Sequence, residues 1–352
     1  MSTTSVRAIM TALAVLPVVA AAALPGSSGV EIVRKDADQR IDISIDGQPF
    51  TSYLWPASVK KPVLFPIRSA KGTIVTRGVP LEPRPGERMD HPHHVGLWFN
   101  FGDVNGIDFW GNSDAIPEKD RGKEGTIVQR AVVSATGGAK EGEITADSDW
   151  VLPDESVLLT DRTVYRFSGT STSRTIDLDI TLTAQGTRAV FNDTKEGMLG
   201  LRVARSLEAP SKEPEIFTDA AGHPTTVPKL DNTGVTGSYL TAQGKTGDAA
   251  WGTRGKWCLL AGTINDEPVT IAILDHPGNP GYPTFWHARG YGLFAANPFG
   301  QKTFTEGKMA PLNFTIEPHQ SARFRYRIMI DSTKAGAPEI EGAWTTWTAA
   351  TR

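Results

Sequence analysis

Apolar and polar residues alternate along much of this chain. Ile41, Ile43 and Ile45 are interleaved with Asp42 and Ser44, and the dipeptide Asp46-Gly47 follows. That pattern predicts a strand running into a tight hairpin. Ile176, Leu178, Ile180 and Leu182 alternate with Asp177, Asp179 and Thr181. Ala322, Phe324, Tyr326, Ile328 and Ile330 alternate with Arg323, Arg325 and Arg327. Period two, with one apolar and one charged face, is the mark of antiparallel sheet solvated on one side. Weaker strand signals lie at 126–134, 143–146, 157–167, 199–204, 257–263 and 269–274. No stretch sustains a 3.6-residue apolar period. Only 338–347, with Pro338 at its start, reads as a short helix.

These elements predict an all-β protein, a large antiparallel β-sandwich with few short helices. Its 35 glycines and 24 prolines fit a chain punctuated by turns. No low-complexity linker interrupts it, so residues 30–332 are expected to form a single β-sandwich domain. Residues 333–352 are expected to be a C-terminal tail carrying the short helix.

The first 23 residues read as an address. Arg7 precedes an apolar run from Ile9 to Ala20, and Ala21-Ala22-Ala23 offers a small-residue cleavage site. The run is shorter than the ~20 residues of a spanning helix. A cleaved signal peptide is therefore expected, with a periplasmic or secreted product and no membrane partner after cleavage. Lys and Arg number 36 against 39 Asp and Glu, a net charge of -3, which argues against a nucleic-acid groove. The one cysteine, Cys258, excludes an intrachain disulfide framework and any multi-cysteine metal site. It lies in an apolar strand and is expected to be buried and inert.

Candidate chemistry concentrates between residues 77 and 114. Three of the seven histidines fall in Asp90-His91-Pro92-His93-His94, followed by Trp98, Asn100 and Trp110. Imidazole exchanges protons near neutral pH and binds metals when neutral. If the segment is extended, His91 and His93 share a face and His94 points away. Aromatic faces pack the C–H side of a pyranose, and amides, carboxylates and guanidiniums pair its hydroxyls. Two other clusters add to this: Lys195-Glu196 followed by Arg202, and His287 with Arg289 in a Pro- and aromatic-rich stretch.

The run Asp90 to His94 with Gly96-Leu97-Trp98-Phe99 resembles the PmoA-like bacterial family, nominally "methane oxygenase". So do Asp193-Thr194-Lys195-Glu196-Gly197, Trp251-Gly252, Trp286-His287-Ala288-Arg289, Tyr291-Gly292-Leu293-Phe294 and Asn297-Pro298-Phe299-Gly300. A membrane oxygenase subunit needs transmembrane helices, and this chain shows none beyond its leader. The strand pattern is similar instead to the galactose-mutarotase type of β-supersandwich. Proteins of that superfamily bind or act on sugars, and its aldose epimerases use a His acid and a Glu base on a pyranose. Such an analogy concerns fold, which does not fix function.

The expected function is an exported carbohydrate-active protein working by acid/base chemistry, of epimerase, lyase or hydrolase type, on a sugar or glycoside. His93 or His94 would exchange the proton, with Glu196 opposite and Asp90 orienting a histidine. Arg77, Arg202, His287 and Arg289 would clamp hydroxyls or a carboxylate. His91, Asn100 and Lys195 would line the site, and Trp98 or Trp110 would stack on the ring. This reading needs no cofactor. One alternative is a divalent metal held by His91, His93 and Glu196 or His287. Another is a non-catalytic carbohydrate-binding protein.

Overall fold

The structure is a computed structural model, and it describes residues 28–351. The expected signal segment lies outside the described residues. Two eight-stranded antiparallel sheets dominate. The first runs, edge to edge, Val30–Lys35, Arg40–Ile45, Gln48–Leu54, Val63–Leu64, Leu97–Phe101, Gly197–Arg202, Leu293–Asn297 and Phe285–Arg289. The second runs Ser238–Thr241, Trp257–Ile264, Glu267–Asp275, Ser321–Asp331, Ser173–Ala184, Val157–Gly169, Glu141–Val151 and Thr126–Thr136. Their inner faces share one core, with Phe99 against Phe324 and Trp150, and Phe50 against Phe167.

The alternation becomes geometry in the second sheet. Ile176, Leu178, Ile180 and Leu182 face inward and are buried, as are Phe324, Tyr326, Ile328 and Ile330. The intervening charges pair on the outer face. Arg327 grips Asp177 at 2.7 and 2.6 Å, and Arg323 reaches Asp179 at 2.7 Å. Such partly solvated ladders order the face more than they stabilise it. Asp46 and Gly47 both take positive φ (51° and 72°) and join Ile45 to Gln48 in a two-residue hairpin. Cys258 is fully buried.

The centre of the first sheet behaves differently. Leu97–Phe101, Gly197–Arg202 and Leu293–Asn297 are buried at every position. Leu97, Phe99, Phe101, Leu199, Leu201 and Phe294 enter the shared core. The opposite face carries a second apolar cluster of Val59, Val63, Phe65, Val95, Trp98, Trp110, Leu293 and Ala295. The C-terminal tail is also a packed element. Helix Ala337–Ala350 lays Ile340 and Trp347 on Trp257, Leu259, Ala272 and Leu274, on the outer side of the second sheet. Glu341 fastens it to Lys256 at 2.6 Å and to Trp257 Nε1 at 2.9 Å.

Candidate functional site

Strand register aligns the site residues on the outer face of the first sheet. Trp98 stands opposite Gly200, Gly200 opposite Ala295, and Ala295 opposite His287. The next row is Arg202, Leu293 and Arg289. Directly opposed residues share a face. His287 and Arg289 therefore fall on one side of Phe285–Arg289, together with Arg202. Gly200 makes room for the indoles: a Cβ there would lie 2.4 Å from Trp98 Cζ2 and 2.9 Å from Trp110 Cη2. Gly200→Ala should cost about 1–3 kcal/mol through overpacking. A denaturation midpoint equal to that of the wild type would contradict this packing.

The histidine segment crosses this face as a turn, not a strand. His94 N–H donates to the His91 carbonyl at 3.0 Å, and His91 has a φ of 45°. The expected alternation is therefore wrong: His91 and His94 stack in parallel, with centroids 4.8 Å apart, and His93 meets them edge-on. The stack continues to Tyr291 beyond His91 (5.2 Å) and to Trp98 beyond His94 (5.2 Å).

Asp90 is the electrostatic hub. Its Oδ1 accepts from Arg77 Nη1 at 2.8 Å and Arg202 Nη2 at 2.6 Å, and its Oδ2 lies 2.8 Å from His91 Nδ1. Burial alone would raise the Asp90 carboxyl. The hydrogen bond from His91 and the guanidiniums of Arg202 and Arg77 outweigh burial and hold it well below the usual carboxylate range. An ionised Asp90 accepts a hydrogen bond from His91 Nδ1–H and leaves Nε2 as the ring's acceptor. Half of the turn is held by Arg77, which also donates to the carbonyls of Asp90, His91 and His94 at 2.7, 2.8 and 3.1 Å.

The other histidines are kept neutral. Burial, followed by the charges of Lys61 and His91, drives His93 down to about 2. Burial, with Arg289 and Lys195, brings His287 down to about 3. His94 is 1% exposed and is likewise held well below its ordinary value, first by burial. Arg202 Nη1 donates to His94 Nδ1 at 3.2 Å, so the His94 proton sits on Nε2, which has no partner among the described residues.

Beside this hub opens a cleft of about 540 Å³. Asp90, His91, Arg289 and Tyr291 line one part of it, and Trp251, Asp248, Ser211 and Glu213 another. None of His93, His94, Glu196 and His287 lines it. Glu196 pairs with Lys195 at 3.3 Å, and its charge is felt at Tyr291 and Asp108, which places it near the same face but outside the cleft. Trp98 and Trp110 are 2% and 1% exposed, so the stacking faces expected of them are turned inward. Asn100 is sealed too, donating to the Phe109 carbonyl at 2.6 Å. Arg77 and Arg202 are buried and engaged with Asp90 and the turn rather than open to a ligand.

Cleft residues given no site role from the sequence include Tyr291, Trp251, Asp248, Ser211 and Glu213, and Lys61 behind the turn was also missed. Lys61 is buried, and its Nζ donates to the His93 carbonyl at 2.8 Å and stands 5.7 Å from the Trp98 ring centre. Burial lowers its ammonium to about 7, against the pull of Asp108. Lys60 and Lys61 stand side by side before Val63-Leu64-Phe65, and nothing in the sequence marks Lys61 as the buried one. Among the described residues no three His, Cys, Asp or Glu side chains converge to hold a metal ion. The ligand set expected of His91, His93 and Glu196 or His287 is not assembled. The Asp90 and His94 groups beside it are occupied by guanidiniums.

Several solved structures resemble this fold weakly. The Slr1438 protein from Synechocystis sp. PCC 6803 aligns at 9% identity and TM-score 0.36, covering 89% of this chain and 100% of that one. A galactose mutarotase-like protein from Clostridium acetobutylicum aligns at 9% identity and TM-score 0.33, covering 86% and 98%. The galactosidase domain of an alpha-galactosidase-sucrose kinase aligns at 8% identity and TM-score 0.39, covering 86% and 42%. At such scores the likenesses carry no chemistry across. No curated protein matches the chain. The methane-oxygenase label suggested by the motifs finds no counterpart in these matches. Residues 40–345 match the model of DUF6807, a family of unknown function, and the chain belongs to that family.

Proposed function

We propose that the cleft binds a carbohydrate and that His91, aimed by Asp90, passes a proton to or from it. The observation that carries this reading is the 2.8 Å contact between His91 Nδ1 and Asp90 Oδ2 at the wall of a 540 Å³ cleft. A carboxylate that fixes one ring nitrogen leaves the other directed and available, which is the arrangement of a positioned general acid or base. The cleft has the size and mixture of a small-ligand site. Trp251 offers an apolar face, and Ser211, Asp248 and Glu213 offer hydroxyl partners.

The burial of His94 and the position of His93 and His287 outside the cleft lining move the proton-transfer role to His91. Glu196 enters as the opposing group for a ligand long enough to extend past Tyr291. The leader-like pattern of residues 1–23 supports export, with a sugar or glycoside met outside the cytoplasm.

Saturation-transfer NMR in D2O tests binding and turnover together, because epimerisation, elimination, hydrolysis and solvent exchange all change the sugar spectrum. The expected result is binding of at least one pyranoside class, with its spectrum changing over time. A broad panel with neither binding nor change would remove the proposal. Binding without change would leave a carbohydrate-binding protein and remove the role of His91.

A further inference from the structure

We infer that the ligand of this cleft is an acidic sugar whose carboxylate sits on Arg289, an inference that rests on the carbohydrate reading above. The arginines around the cleft differ in what they already hold. Arg77 and Arg202 are buried and bound to Asp90. Arg88 is taken by Glu208 at 2.7 Å and Glu215 at 3.0 Å, and Arg205 by Glu208 at 2.6 Å. Arg289 is exposed and lines the cleft, and among the described residues no carboxylate lies within ion-pair distance of its guanidinium.

Arg289 is also well placed. It ends strand Phe285–Arg289, and its carbonyl accepts from Gly292 N–H at 2.9 Å and from Tyr239 Oη at 3.3 Å. Its guanidinium stands 5.7 Å from the Tyr291 ring centre and 6.0 Å from that of Trp251. A planar fork steadied by two aromatic rings matches a carboxylate with two parallel hydrogen bonds. Asp248 and Glu213 in the same lining can accept hydrogen bonds from hydroxyls, and they repel a phosphate dianion more strongly than a monoanion. Together these groups select a sugar ring bearing one carboxylate.

His91 then has an obvious proton to take. In a uronate the carbon bearing the carboxylate carries an acidified C–H. Its pair moves into the carboxylate as an enediolate facing Arg289, while the proton passes to His91 Nε2. The pair returns by re-forming C–H with a proton from solvent water on the opposite face, which inverts the centre, or by expelling the oxygen on the neighbouring carbon, which forms C=C as that C–O bond breaks and the leaving oxygen takes the proton held by His91.

The test is calorimetric binding to the full chain of galacturonate, glucuronate and mannuronate oligomers, each beside its carboxyl-reduced neutral form. At least one acid should bind about tenfold or more tighter than its reduced partner, in line with one charge-assisted pair. Arg289→Gln should abolish that advantage, with a urea midpoint equal to that of the wild type reporting an intact fold. If reduced forms bind as tightly as acids, or if Arg289→Gln keeps the preference, the inference fails while the carbohydrate reading stands. If no sugar of either kind binds, both fall.

Discussion

Asp90→Asn should lower the stability of the protein by about 3–5 kcal/mol, the usual result of removing one partner from a buried ion cluster. The amide keeps the shape of the side chain, so packing does not explain the loss. The cause is charge. Arg202 and Arg77 are 0% and 1% exposed, and both place a guanidinium nitrogen within 2.8 Å of the same carboxylate oxygen. Without it, two cations face each other away from water. Urea unfolding would show a lower midpoint at unchanged slope. A loss below about 1 kcal/mol, the range of exposed pairs, would mean that these guanidiniums are solvated.

The second large effect depends on pH. His287 is 2% exposed and titrates at about 3 in the folded state, against about 6.5 when unfolded. Its folded value is depressed, so between these limits the unfolded chain binds the extra proton. The stability contributed by the neutral ring is complete above pH 6.5 and is lost as pH falls toward 3. One such group changes unfolding free energy by about 1.4 kcal/mol per pH unit across that window. His287→Gln should remove this share. Relative to wild type, the variant should gain about 3 kcal/mol between pH 6.5 and pH 4, read from urea midpoints at each pH. Parallel stability curves for the two proteins would contradict the buried neutral imidazole. Comparing the two proteins cancels opposing groups such as Asp275, whose carboxyl burial raises to about 7.

Legibility in the sequence followed burial. Ser173–Ala184 and Ser321–Asp331 expose one face to solvent, so their alternation predicted them. Leu97–Phe101, Leu293–Asn297 and Phe285–Arg289 are covered on both faces or nearly so, and no alternation marked them as strands. Phe285–Arg289 is the one of them that brings Arg289 to the cleft. The same double cover explains the fate of Trp98 and Trp110. The sequence shows two indoles beside histidines, but only the register with Gly200 shows that they fill the space between sheet and turn. His91 lay in the right segment and received the wrong neighbours, because a positive φ at one residue converts an extended run into a turn. Lys61 escaped notice because its partner is the backbone carbonyl of His93, which no side-chain pattern records.

The relative turnover of His91→Gln and His93→Gln on the best carbohydrate substrate tests the account most directly. It predicts that His91→Gln loses at least about 100-fold in rate, the lower bound for a positioned proton-transfer group. His93→Gln, which removes a ring already neutral and outside the cleft lining, should stay within a few-fold of wild type. A His91→Gln protein that folds normally and turns over at the wild-type rate would contradict the proposal.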